Sequence, residues 1–210
     1  MISIDAVIFD YGFTISSEHY FNVPHPRIFR WHELIQESVF GDERVSRAWM
    51  KGEISLHDIA RVIQEKTGEE HTSILAYLRD GCRNLKENRA VVKFAKQLRM
   101  NRVPIGLVTA NFDVFNEVIV PEHRYSELFD VIINSCDYGV IDKRVLWPIA
   151  FKRLGSHIDY ENTLLIEDGE KEPQQFRDAG GNANQYVDEA IFTEEIMRYK
   201  IANNRVQWTP

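Results

Sequence analysis

Short apolar runs, each ending in a polar residue, punctuate this chain. Ala6-Val7-Ile8-Phe9 runs into Asp10, and Ile105-Gly106-Leu107-Val108 into Thr109. Val131-Ile132-Ile133 runs into Asn134, and Leu164-Leu165-Ile166 into Glu167 and Asp168. Continuous apolar runs of this length predict strands buried on both faces, as in a parallel sheet, because a helix so short could not bury itself. Between them the apolar period lengthens to that of a helix. Asn88 to Met100 sets Val91, Val92, Phe94, Ala95 and Leu98 among Lys and Arg, and Val145 to Leu154 predicts a second such helix. Strands alternating with helices predict a doubly wound α/β parallel sheet. In such sheets the chemistry lies outside the carboxyl ends of the strands. Asp10, Thr109 and the Glu167-Asp168 pair all fall at such ends.

From about Ser17 to Lys86 the alternation stops and the pattern is helical throughout. Trp31 to Phe40 predicts one helix, and Asp42 to Met50 another with Asp42 as N-cap. Ser55 to Lys66 is a third, opened by Ser55 and closed by Gly68, and Thr72 to Asn84 a fourth. Pro24-His25-Pro26 marks an irregular entry. The expected organisation is an α/β core over residues 1–16 and 87–210, with an inserted α-helical domain over 17–86 covering the strand ends.

Composition narrows the function classes. A chain of 210 residues, 44% hydrophobic, can fill one core and a small accessory domain. A net charge of -7 argues against sequence-independent nucleic-acid binding, which needs a basic face, although it says nothing about one cleft. No apolar run approaches the roughly 18 residues of a membrane-spanning helix. Cys82 and Cys136 lack metal-ligand spacing and read as free thiols of a reducing compartment. The stretch MISIDAVIFD has no basic segment or cleavage site of a signal peptide, so a cytoplasmic protein, monomer or homodimer, is expected. Trp31, Trp49 and Trp147 read as packing anchors, and Trp208 as cover for a core edge or a partner.

Four features carry candidate chemistry. Asp10, in Phe9-Asp10-Tyr11-Gly12-Phe13-Thr14, presents a carboxylate at a strand tip that can attack phosphorus or carbon; alone it could as well be a turn residue. Thr109, in Val108-Thr109-Ala110-Asn111, offers a hydroxyl for a phosphoryl oxygen, or a helix cap. Lys143, in Ile141-Asp142-Lys143-Arg144, would offset charge near the nucleophile. Glu167-Asp168-Gly169-Glu170-Lys171-Glu172 clusters carboxylates that are costly together unless a cation joins them, and a hard oxygen site of this kind suits Mg2+.

Taken in order along essentially the whole chain, these four motifs resemble those of the haloacid dehalogenase-like (HAD) hydrolases, and the helical insert resembles their cap. Trp49-Met50-Lys51-Gly52-Glu53-Ile54-Ser55 also looks like an element of such caps. The resemblance implies Asp10 as nucleophile and Mg2+ ligand, Thr109 binding the phosphoryl group, and Lys143 holding both. It implies Asp168 as the second carboxylate on the metal, supported by Glu167 or Glu172, with the Gly12 carbonyl as a further ligand and Asn111 at the cap-facing edge. The partner expected is a small phosphorylated metabolite, and the reaction Mg2+-dependent hydrolysis of its phosphomonoester.

The pattern departs from the family at Gly12, where phosphatases usually carry a second Asp as acid and base. That loss costs on the order of 10²–10⁴-fold in rate. Three readings follow: a phosphohydrolase drawing its proton from water or from His19 or Glu18 of the cap; a dehalogenase- or phosphonatase-like hydrolase, with Lys51 as a candidate imine former; or a binding or regulatory protein with a degenerate site. Relatives that cleave carbon–halogen bonds tend to lose part of the acidic fourth motif, which is intact here.

Overall fold

The computed structural model describes residues 2–208. It opens with strands β1 (Ile2–Ile4) and β2 (Ala6–Phe9). The insert contains α1 (Trp31–Ile35), continued by a wider π-helical turn over Gln36–Phe40, then α2 (Glu43–Met50), α3 (Leu56–Thr67) and α4 (His71–Arg83). The chain goes on through α5 (Arg89–Met100), β3 (Ile105–Thr109), the short helices α6 (Val120–Glu122) and α7 (Tyr125–Leu128), and β4 (Val131–Asn134). There follow α8 (Lys143–Leu154), β5 (Thr163–Glu167), α9 (Lys171–Asp178), β6 (Asn182–Gln185), α10 (Glu189–Ile196), and the hairpin β7 (Tyr199–Ala202) and β8 (Arg205–Trp208).

Five strands form a parallel sheet in the order β4-β3-β2-β5-β6. The order reverses at β2, so Asp10 stands where a doubly wound sheet opens its crevice. Alternate residues of β2 face opposite layers. Val7 and Phe9 pack with Phe94 of α5 and Phe192 of α10, while Ala6 and Ile8 pack with Trp147 of α8 and Phe176 of α9. The first of these clusters runs on without a break into the insert through Phe21, Trp31 and Trp49.

The insert is less helical than its composition predicts. Residues 17–30 are irregular, because Pro24 and Pro26 cannot sit inside a helix. His25 Nδ1 instead accepts from the backbone N–H of Arg27 and Ile28, and Trp31 Nε1 donates to the Phe21 carbonyl at 3.0 Å. At α3 the local chemistry is as the sequence predicts. Ser55 Oγ accepts from Asp58 N–H while Asp58 Oδ2 accepts from Ser55 N–H, and Gly68 ends the helix at φ 72°. Replacing Ser55 by Ala is expected to destabilise the protein by about 1 kcal/mol. A denaturation midpoint identical to wild type would show that this cap carries nothing.

β6 and the terminal hairpin have no counterpart in the apolar pattern described above. β6 reads Asn-Ala-Asn-Gln and is held by its parallel pairing to β5. The hairpin turns on Asn203 and Asn204 at φ 54° and 61°, a left-handed pair that Asn tolerates. It pairs with β1, and Trp208 lies opposite Ile2. No helix among the described residues is long and apolar enough to cross a membrane.

Candidate active site

The register sets the site. Phe9 lies opposite Leu107 on one side and Ile166 on the other, so Asp10 emerges beside the ends of β3 and β5. Its N–H donates to the Ile166 carbonyl at 2.9 Å. Lys143 is the first residue of α8, whose start is fixed by the Asp142 carboxylate accepting from Arg144 N–H at 3.0 Å. From there its ammonium reaches Glu167 Oε2 at 2.6 Å and Asp10 Oδ1 at 2.8 Å. The approach to Asp10 is a charge contact off the hydrogen-bond direction, and Asp10 Oδ1 has no aligned donor among the described residues.

Asp10, Glu167 and Asp168 each bring a carboxylate oxygen to within 4.8 Å of the others. Burial pushes the Glu167 carboxyl well above the usual range, and the nearby Asp10 adds to this while Lys143 opposes it. Burial and then Asp10 also raise Asp168. For Lys143 burial works against the charge, but Asp10 and Glu167 outweigh it and hold the ammonium above the ordinary lysine range. One ammonium among three closely placed carboxyl groups leaves surplus negative charge in a buried place. A divalent cation offsets such a surplus, and an all-oxygen donor set fits Mg2+.

The other expected site residues lie around this cluster. Thr109 is buried at the tip of β3. Gly12 sits in a tight turn in which its carbonyl accepts from Thr14 N–H at 2.6 Å. A Cβ built at Gly12 would meet only Asp10 Oδ2, at 3.9 Å, so the position opens toward the carboxylate. Asn111 is buried, and its side-chain oxygen accepts from Tyr20 Oη of the insert and from Phe112 N–H, both at 2.9 Å. Glu172 stands outside the carboxylate cluster, in a cavity that it shares with Lys143.

Two groups considered as alternative acids or nucleophiles are engaged elsewhere. Glu18 is paired with Lys86 at 2.9 Å, and hydrogen bonds from Lys86 hold its carboxyl below the usual range, which disfavours proton donation. Lys51 pairs with Glu53 at 3.4 Å and is solvent-accessible. His19 packs edge-on against Phe13.

Three contributors escaped the sequence reading. Thr14 Oγ1 donates to Asp168 Oδ1 at 3.2 Å, and its place in the first motif, four residues after Asp10, was its one signal. Tyr20 fixes Asn111. Ser135 Oγ accepts from Asn111 N–H at 2.9 Å and donates to the Met50 carbonyl at 2.6 Å, tying the site edge to the insert. Nothing local marks Tyr20 or Ser135. Beside Met50, Gly52 lies so close to the core that a Cβ would stand 2.5 Å from the Cys136 carbonyl oxygen, and its φ is 69°. The Trp49–Ser55 stretch thus needs glycine for a backbone contact as well as for a turn.

No family model matches the sequence, and no curated protein matches it. The likeness lies in the fold. The chain is similar to a predicted HAD-like family hydrolase from Porphyromonas gingivalis, with a TM-score of 0.66, 15% identity, and coverage of 93% of this chain and 97% of that one. It is similar to a HAD family enzyme from Bacteroides thetaiotaomicron in complex with magnesium and inorganic phosphate, with a TM-score of 0.61, 15% identity, and 88% and 94% coverage. It is also similar to the L-2-haloacid dehalogenase of Xanthobacter autotrophicus, with a TM-score of 0.60, 10% identity, and 98% and 90% coverage. The parallel sheet with its helical insert is therefore the haloacid dehalogenase-like fold, an α/β core with a helical cap.

Proposed function

We propose that the protein is a Mg2+-dependent hydrolase of small phosphomonoesters that works through an aspartyl-phosphate on Asp10. The observation that carries this reading is the cluster of buried Asp10 and Glu167, both on Lys143, with half-buried Asp168 beside them at the tips of the central strands. An Asp10 oxygen attacks phosphorus, the bond to the leaving oxygen breaks, and that oxygen takes a proton. Lys143 holds Asp10 in place and neutralises charge on the phosphoryl oxygens. Thr109 donates to one of those oxygens. Asp10, Asp168 and the Gly12 carbonyl would hold Mg2+, with Glu167 and Glu172 supporting. The ion supplies charge neutralisation at the phosphoryl group. Gly12 provides no acid, and its open side gives room for a water to bring the proton to the leaving oxygen and then to attack the aspartyl-phosphate.

The fold is shared with a haloacid dehalogenase, and that favours carbon–halogen cleavage as a second reading. Such a reaction needs no metal cation, whereas the surplus of buried carboxylates here calls for one. A panel of small phosphomonoesters and 2-haloacids, assayed for phosphate and halide release with and without Mg2+, separates the readings. Phosphate release that disappears on removing Mg2+ is the expected result. Halide release independent of Mg2+, or inertness toward every ester by protein that binds Mg2+, overturns it.

A further inference from the structure

A cavity of about 300 Å³ lies between α2 of the insert and the first turns of α8 and α9. Ala110, which follows Thr109, and Lys143, which contacts Asp10, both line it, so it lies beside the carboxylate cluster. Arg47 of the insert, Arg144 and Lys171 stand on its walls, with Glu172 and Asp142 as the acidic members. Lys143 is committed to Asp10 and Glu167. Arg144 is bound side-on by Asp142, with Nη2 to Oδ2 at 2.6 Å, and Arg47 reaches Glu43 only at 3.6 Å. Lys171 has no carboxylate partner within ion-pair distance among the described residues.

A second cavity, of about 590 Å³, lies on the other side of the carboxylates and has the opposite character. Asp168, Asp188 and Glu189 line it, with Phe13 and Asn88. In a chain of net charge -7, the cavity that holds Lys143 has four basic side chains against two acidic ones. An anionic leaving group would be repelled from the acidic side and drawn to the basic one.

Resting on the phosphohydrolase reading, we propose that this cavity is a second anion subsite. The substrate is then a short phosphomonoester that carries another phosphate or a carboxylate, held by Lys171 and Arg47 across the cleft between core and insert. Arg47 reaches it from the insert and Lys171 from the core, so a dianionic substrate also bridges the two parts.

The test compares propyl phosphate with the bisphosphate of propanediol and the phosphate ester of hydroxypropanoate. Binding to Asp10→Asn protein in Mg2+ is measured by calorimetry, and turnover by the wild type is followed in parallel. The esters with two anions are expected to bind about tenfold more tightly than propyl phosphate, the gain of one charge-assisted contact in a half-open cleft. Lys171→Glu and Arg47→Ala, each added to Asp10→Asn, are expected to erase that margin within the same protein, so a general loss of folding cannot imitate the result. A margin for the bisphosphate alone identifies the second group as phosphate, and a margin for both leaves it as any oxyanion. Equal binding of the three esters, or a margin that survives both substitutions, overturns the subsite. If the wild type hydrolyses none of them while the margin is present, the hydrolase reading fails and the subsite stands. Hydrolysis without a margin is the reverse case.

Discussion

Asp10→Asn protein is expected to release phosphate at least about 10⁴-fold more slowly than wild type, since an amide oxygen is a poor nucleophile and nucleophile deletions cost this much or more. The fold is expected to survive. Asn is isosteric with Asp, and the change removes one negative charge from a group in which Glu167 and Asp168 are already raised by burial and by Asp10 itself. A melting temperature at or above that of wild type, together with lost turnover, would separate a chemical from a structural role. Fluoroberyllate should form an adduct with the wild type in Mg2+ and not with the variant. Full activity in Asp10→Asn would remove Asp10 from the mechanism and with it the proposed intermediate.

Trp49→Ala is expected to cost about 3–5 kcal/mol, the range for deleting a large aromatic from a filled core. Trp49 is fully buried at the end of α2. Its ring stacks on Phe112, which follows β3, with centroids 4.2 Å apart, and on Phe21 of the insert at 6.1 Å. Its Nε1 donates to Asp113 Oδ1 at 2.6 Å. Asp113 also accepts from Leu56 N–H at 2.9 Å, so one carboxylate ties the core to two parts of the insert. The loss should lower the melting temperature on the order of 10 °C in a chain of this size. It should also raise KM, because the Ser135 to Met50 contact at the site edge lies next in sequence. Trp49→Phe keeps the stacking and loses the hydrogen bond, and is expected to cost about 1–2 kcal/mol. A loss below about 1 kcal/mol for Trp49→Ala would mean that insert and core do not share a core.

The parts of the fold that could be read from the chain are those whose signal is local. The buried strands announced themselves as unbroken apolar runs, since a strand covered on both faces has no polar side. The helices of the insert were marked by their caps, as at Ser55 and Gly68. The chemistry-bearing residues could be placed at strand tips because a doubly wound sheet puts them there whatever its sequence. What the chain could not show is whatever depends on a distant partner. β6 has no apolar pattern, and only pairing with β5 makes Asn182–Gln185 a strand. Pro24 and Pro26 mark an irregular entry to the insert, but the chain does not show that the His25 and Trp31 hydrogen bonds organise it.

The same division runs through the site. The sequence by itself determined which groups stand at the ends of β2, β3 and β5, because those groups follow directly on their own strands. Only the tertiary structure decided which of them meet. It brought Lys143 from α8 between Asp10 and Glu167, separated in sequence by 157 positions (167 − 10), and it turned Glu18 aside to Lys86. It also placed Arg47 and Lys171 on the walls of one cavity. The physical reason is that a strand tip is fixed by local periodicity and backbone pairing, whereas a charge pair across 24 residues, as Lys143 with Glu167, is fixed by how helices pack on the sheet. That packing is the sum of many small contacts, and no single residue in the chain records it.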